Sequence, residues 1–209
     1  MIVTIVGAGN MGRGIATRAL AGGHEVRLVD TDGPKAEALA KELGSAGRAG
    51  AAVDVADGSV GGDVVVLALP YPVGQEVIRQ LTPGTIAVDI SNPVDFTTFD
   101  SLATPPGTSA AEDIAHANPR ARVVKAFNTT FATTLISGEV AGQTLDVFIA
   151  GDDEQAKTQV AELVRGGGMR PLDAGPLRRA RELEAFQFLH MTLQDRLGLR
   201  WSSAIKLLP

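Results

Sequence analysis

Along the chain, short apolar runs alternate with stretches that are apolar on one face only. That alternation is the mark of βαβ units, in which strands buried on both faces are joined by amphipathic helices. It predicts a strand at 2–6, a helix at 12–21 ending at Gly22-Gly23, and a strand at 25–29. The next helix is opened by Pro34 and closed by Gly44. Proline suits a first helical turn, where its missing N–H costs nothing. Residues 44–62 are rich in Gly, Ala and Ser, and predict a short strand near 51–53 with a weak helix or loop. A buried strand follows at 63–69 (DVVVLAL), then a helix at 73–81, a turn at Pro83-Gly84 and a strand at 85–90.

The second half continues the alternation after a long loop, 91–108, with three prolines. Ser109 and Glu112 have the spacing of a capping box, which predicts a short helix ended by Asn118-Pro119. Strands are expected at 122–126 and 145–150, with Asp152 capping a helix at 153–165 that ends at Gly166-Gly167-Gly168. A last strand at 169–172 and a long helix at 177–197, stopped by Gly198, complete the reading. The fold class is therefore α/β with a mostly parallel sheet.

Composition narrows the function. With 209 residues and 44% hydrophobic content, the chain can bury one sizeable core, or one domain with a small appendage. The net charge of −5 carries no basic face for nucleic acid. Absence of cysteine excludes disulfides and thiolate metal sites. His24, His116 and His190 lie far apart without ligand spacing, so no metal is expected. The chain enters MIVTIVG directly, with no basic leader, and no apolar run approaches the roughly 18 residues of a membrane span. A cytoplasmic protein without membrane partner is the expectation.

The first chemical motif is Gly7-Ala8-Gly9-Asn10-Met11-Gly12, a G-x-G-x-x-G between a strand and a helix. In that context the first glycine allows the tight turn, the second lets a pyrophosphate approach the backbone, and the third allows close packing. The helix-start amides then face the phosphates. Without a ligand, the same residues would be only a glycine-rich turn. Asp30 ends the second strand about twenty residues on, where a carboxylate receives the adenosine ribose hydroxyls. An NADP site would usually offer arginine here, but Asp30, Thr31 and Asp32 stand together and Lys35 is the nearby cation. NAD(H) is therefore favoured over NADP(H). Leu69-Pro70-Tyr71 and Ser91-Asn92-Pro93 follow strands at the carboxyl edge of the sheet, where open α/β sheets bind ligands. Tyr71 either flanks the crevice or rests on the surface, and Asn92 either reaches the site or merely turns the chain.

Residues 123–131, VVKAFNTTF, end an apolar strand in polar residues on that same edge. Asn128, Thr129 and Thr130 supply hydrogen bonds without fixed charge, suited to a carboxamide or polar heterocycle; alternatively they bond their own backbone. Lys125 either touches a phosphate or anionic acceptor, or pairs at the surface. No Ser-His-Asp arrangement accompanies them. A hydride passing between stacked rings needs positioning more than an acid or base.

These residues resemble a known family, the NADP oxidoreductases dependent on the deazaflavin coenzyme F-420, and the related reductase domain of six-transmembrane metalloreductases. The resembling stretches are IVGAGNMGRGIA, LALPYPV, VVKAFNT, IAGDDEQAK and PLDAGPLRRARELE, with a terminal AIKLL, spread from residue 1 to about 208. The resemblance implies a Rossmann-like, doubly wound dinucleotide-binding domain (1–127). It also implies a small C-terminal α/β extension (128–209) that completes an acceptor site. Hydride transfer between a nicotinamide and an F-420 or flavin ring, in a homodimer, is implied as well. Free flavin, quinone or a ferric chelate are the alternative acceptors, and a non-catalytic NAD(H) sensor is the alternative class. Archaeal members carry a Ser-Arg type pair where Asp30 and Thr31 stand, and a histidine at the position of Asn128. Pyrroline-carboxylate reductases and hydroxyisobutyrate dehydrogenases, which also begin GAGNMG, need a longer helical C-terminal domain.

Overall fold

The computed structural model describes residues 1–46, 53–55 and 60–208. The first half runs β1 (Ile2–Val6), α1 (Asn10–Ala21), β2 (Glu25–Val29), α2 (Gly33–Ala46), β3 (Val53–Val55), β4 (Val64–Leu67), α3 (Tyr71–Ile78) and β5 (Ile86–Asp89). The second half runs α4 (Ala110–Ala117), β6 (Arg122–Lys125), α5 (Ala132–Ser137), β7 (Glu139–Val140), β8 (Gln143–Thr144), β9 (Asp146–Gly151), α6 (Glu154–Gly166) and β10 (Arg170–Gly175). A 3-10 turn at Leu177–Arg179 then leads into α7 (Ala180–Arg196).

The main sheet has eight strands in the order β10-β9-β6-β5-β4-β1-β2-β3. β1 to β6 are parallel, and the order reverses between β1 and β4. Such a switch point opens a crevice outside the carboxyl ends of the strands. β9 pairs antiparallel with β6, setting Lys125 opposite Ala150, and β10 runs parallel to β9. The division expected at 127/128 thus falls within one continuous sheet.

Period-two alternation sorts the strand side chains between two layers. In β4, Val64 and Val66 face the cluster formed with α1, α2 and α6, while Val65 and Leu67 face the cluster formed with α3 and α4. All four are buried, and each contributes on the order of 1.5–3 kcal/mol.

Several details depart from expectation. The short strand begins at Val53, and much of the stretch expected between 44 and 62 lies outside the described residues. α2 runs on past Gly44. Helix α5 and the β7–β8 hairpin were not expected; six residues with two threonines make a weak periodic signal. α5 nevertheless packs so closely on α1 that a Cβ added at Gly14 would lie 2.8 Å from Leu135 Cβ. Asp153, not Asp152, caps α6, its carboxylate accepting from the Ala156 amide at 2.8 Å. Asp152 instead accepts from the Leu177 amide at 2.9 Å. The Ser109 hydroxyl accepts from the Glu112 amide as a capping box requires, but the Glu112 carboxylate turns to Ser109 Oγ and Arg181.

Candidate active site

The three fingerprint glycines divide by cause. Gly7 has φ +110°, and a Cβ there would strike the Ala68 carbonyl. A Cβ on Gly12 would strike the Gly7 carbonyl. Both are glycine because β1, β4 and α1 pass too closely for a side chain. Gly9 differs: its φ is −82°, open to any residue, and an added Cβ would meet no atom within 4 Å. Its missing side chain serves no packing purpose within the described residues. It keeps clear the approach to the first turn of α1, which has no side-chain cap and no acidic residue.

Asp30 stands at the end of β2 beside this loop. One carboxylate oxygen accepts from the Ala8 amide at 2.7 Å and from Lys35 Nζ at 3.3 Å; the other accepts from the Asp32 amide at 3.0 Å. Burial opposes its charge, but the Asp32 and Ala8 amides outweigh that with the help of Lys35, and the carboxyl is held below its usual range. Thr31 and Lys35 are exposed beside it.

Two cavities adjoin in the crevice. One, of about 350 Å³, lies over Gly9, Leu69 and Pro70, and is lined also by Phe96. The other, of about 340 Å³, lies over Asn128 and is lined by Phe131, Thr133, Gln187 and Trp201. Asn10, Met11, Ile90, Asn92 and Met191 line both. Fingerprint, β4 edge, β5 edge and β6 edge are thus brought to one crevice. Tyr71 is not among the lining residues. It opens α3 and donates to Asp113 at 2.7 Å; burial first, and the Asp113 carboxylate second, push its hydroxyl up to about 12.

At the end of β6, Phe127 adopts φ +62° with its ring buried. A left-handed aromatic residue costs on the order of 1–3 kcal/mol, and here it turns the chain so that Asn128 lines the cavity. Asn128 donates to Asn92 Oδ1 at 3.0 Å and to the Leu183 carbonyl at 3.2 Å. Its own Oδ1 is buried without a partner, as are Ser91 Oγ and Thr129 Oγ1, among the described residues. Thr130 lines the cavity while its hydroxyl donates to the Phe127 carbonyl at 2.6 Å. Thr129 is buried behind the wall.

Lys125 reaches neither a ligand position nor the surface. It is wholly buried between Asp89 and Glu184, each at 2.7 Å, and donates also to the Ser91 carbonyl at 2.5 Å. Its desolvation is outweighed by the two carboxylates, which raise its pKa, while burial pushes the Glu184 carboxyl up. Glu184 accepts in addition from the Ala110 and Ala111 amides at the start of α4. The apolar run of β6 concealed this pairing, because Glu184 lies 59 residues away. Gln187, Met191 and Trp201 were also missed. A polar stripe of Gln187, His190 and Gln194 at helical spacing on α7 was the available signal.

Comparison with known proteins gives the family. The family described as NADP oxidoreductase, coenzyme F420-dependent, matches residues 2–93. The F420-dependent NADP reductase of Methanocaldococcus jannaschii is 31% identical over 197 residues, covering 88% of this chain and 87% of that protein. The chain belongs to the F420-dependent NADP oxidoreductase family. As a member it is an oxidoreductase with the family's Rossmann-like fold. A solved Arthrobacter sp. FB24 structure assigned to F420-dependent NADP-reductases superimposes with a TM-score of 0.80 at 28% identity, covering 99% of both chains. The rat metalloreductase STEAP3 is 34% identical over 187 residues, 88% of this chain, but the chain spans 36% of that protein's length. No helix among the described residues is long and apolar enough to cross a membrane.

Proposed function

We propose that the chain transfers a hydride between a nicotinamide dinucleotide and a flavin-like or deazaflavin ring bound beside it. The lining of the two cavities carries this reading. Their faces are thioether and aromatic, their edges amide and hydroxyl, and no ionisable side chain lines either among the described residues. Oxidation of an alcohol would call for a general base. Two aligned rings need none, because a C4 hydride moves directly as a proton with two electrons and solvent supplies the remaining proton to the reduced ring.

The residues suit a dinucleotide. The space over Gly9 and the uncapped start of α1 would take the pyrophosphate, and Asp30 with Lys35 would take the adenosine ribose. Asn128 Oδ1, buried with no partner among the described residues, would accept from a carboxamide N–H seated against it. Asn92 holds it in place from across the crevice. A bound nicotinamide would supply or take the hydride, and Met11, Met191 and Phe131, which line the crevice, would keep water from its path.

For the dinucleotide we favour NAD(H). Asp30 stands where a 2′-phosphate would come, and Lys35 is already paired to it at 3.3 Å. Family membership speaks for NADP(H), so the two are to be measured against each other. A cytoplasmic homodimer completes the proposal, supported by the exposed Phe186 and Leu189 on α7. Light scattering tests the dimer. Stopped-flow oxidation of NADH and NADPH against deazaflavin, FMN, a quinone and a ferric chelate tests the reaction. Rapid turnover with the tricyclic rings is expected. Tight dinucleotide binding with no turnover on any acceptor would favour a sensor.

A further inference from the structure

A buried polar chain on α7 ends at the second cavity. Gln187, His190 and Gln194 are all at most 9% exposed and lie on one face of the helix. His190 Nδ1 lies 3.1 Å from Gln187 Oε1, and His190 Nε2 lies 2.7 Å from Ser203 Oγ. The His190 ring packs on Phe131 with centroids 4.7 Å apart, and Phe131 packs edge-on to Trp201 at 5.3 Å. Both aromatic residues line the same cavity as Gln187.

Proton counting sets the direction of this chain. Gln194 Nε2 donates to the His190 carbonyl at 2.8 Å and to Ser203 Oγ at 2.9 Å. Ser203 therefore accepts from Gln194 and has one proton to give. The nearer acceptor is His190 Nε2 at 2.7 Å; Gln194 Oε1 is at 3.2 Å. His190 then carries its ring proton on Nδ1 and donates it to Gln187. Burial holds the His190 pKa down, which keeps the ring neutral. With Oε1 engaged, Gln187 is left with its amine end, which has no partner among the described residues.

We propose that Gln187 presents this oriented N–H to the second ring and so selects acceptors that bring a carbonyl or unprotonated ring nitrogen to that edge. The pyrimidinedione edge of a flavin or deazaflavin has that chemistry. This inference rests on the hydride-transfer reading of the crevice and adds the determinant of acceptor choice.

The test compares Gln187→Glu, which keeps the length but replaces the N–H with an acceptor, and Gln187→Met, which removes both polar atoms. FMN and a 5-deazaflavin probe the carbonyl-bearing class. N-methylacridinium, a tricyclic hydride acceptor with no carbonyl, is the control. KM for FMN and deazaflavin should rise by about tenfold in both variants. KM for the acridinium should change by less than about twofold in Gln187→Met and should not rise in Gln187→Glu, whose carboxylate attracts the cation; Kd for NADH should change by less than about twofold in both. Equal loss on all three acceptors would mean a structural role and overturn the inference. So would a Gln187→Glu enzyme that handles FMN as the wild type does, because an oxygen would then face the ring. If Gln187→Glu misfolds, Gln187→Met decides alone. A wild type that reduces the acridinium but neither carbonyl-bearing ring overturns this inference alone. A wild type that reduces no tricyclic acceptor overturns the crevice reading together with it.

Discussion

Asn128 donates its side-chain amide to Asn92 Oδ1 at 3.0 Å, and Asn92 donates back to the Asn128 carbonyl at 2.9 Å. The exchange clamps the segment after β5 to the segment after β6, and both residues line the same cavity. Asn128→Ala should lower single-turnover hydride transfer by about tenfold, or roughly 1.4 kcal/mol, with a smaller change in dinucleotide affinity. Unchanged rates would make the pair a turn device only.

The fingerprint separates folding from binding. Gly9→Val adds a side chain where the fold has room, so melting should be unchanged and calorimetric NADH affinity abolished. Gly7→Ala forces φ +110° and a clash with Ala68, and should destabilise the protein itself. Undiminished NADH affinity in folded Gly9→Val would show that this loop does not hold the phosphates.

On the proposed NAD(H) reading, cofactor choice would turn on Asp30. NADH should bind at least about tenfold more tightly than NADPH. Asp30→Ser combined with Thr31→Arg should reverse the order, since arginine pairs a phosphate bidentately. Tighter NADPH binding by the wild type would point to Lys35 as the phosphate partner.

The Lys125 triad holds three walls of the crevice together from behind: β5 through Asp89, the following loop through the Ser91 carbonyl, and α7 through Glu184. Lys125→Met leaves two buried carboxylates without a counter-charge. It should cost roughly 3–5 kcal/mol in urea unfolding. A loss below about 1 kcal/mol would contradict the structure.

Asp146 is buried and accepts from Arg170, Lys206 and the Leu207 amide. Burial alone would raise its pKa, but these donors, Arg170 first, hold it at about 2, below the ordinary 3.8. Its contribution of roughly 2 kcal/mol is therefore present above the ordinary value and lost as pH falls through about 2. Asp146→Asn should be less stable at neutral pH and should show a flatter acid limb between about pH 4 and 2. Parallel limbs in acid titrations followed by circular dichroism would remove this assignment.

Much of this was legible in the chain. The βαβ alternation, the glycine turn, Asp30 and the polar end of β6 all rest on short-range pattern, which sequence carries directly. What was missed rests on pairing across distance. VVK reads as a strand with a cation at its tip, and only the approach of α7 shows that Lys125 is interior. Trp201 lies in a C-terminal segment that Asp146 holds to β9 through Lys206 and the Leu207 amide, and no local pattern announces that; for Gln187 only the polar stripe on α7 gave a hint. Tyr71, which the sequence left open between the crevice and the surface, donates to Asp113 on α4 and is not among the residues lining the two cavities.

The central claim, direct transfer between two rings, is tested most directly with NADH carrying deuterium at both positions of nicotinamide C4 and 5-deazaflavin as acceptor, in a single turnover analysed by mass spectrometry. Deazaflavin takes the hydride on carbon, where it does not exchange with water. The predicted result is quantitative carbon-bound deuterium in the reduced deazaflavin. An unlabelled reduced ring, or no reduction while NADH is bound, would contradict it.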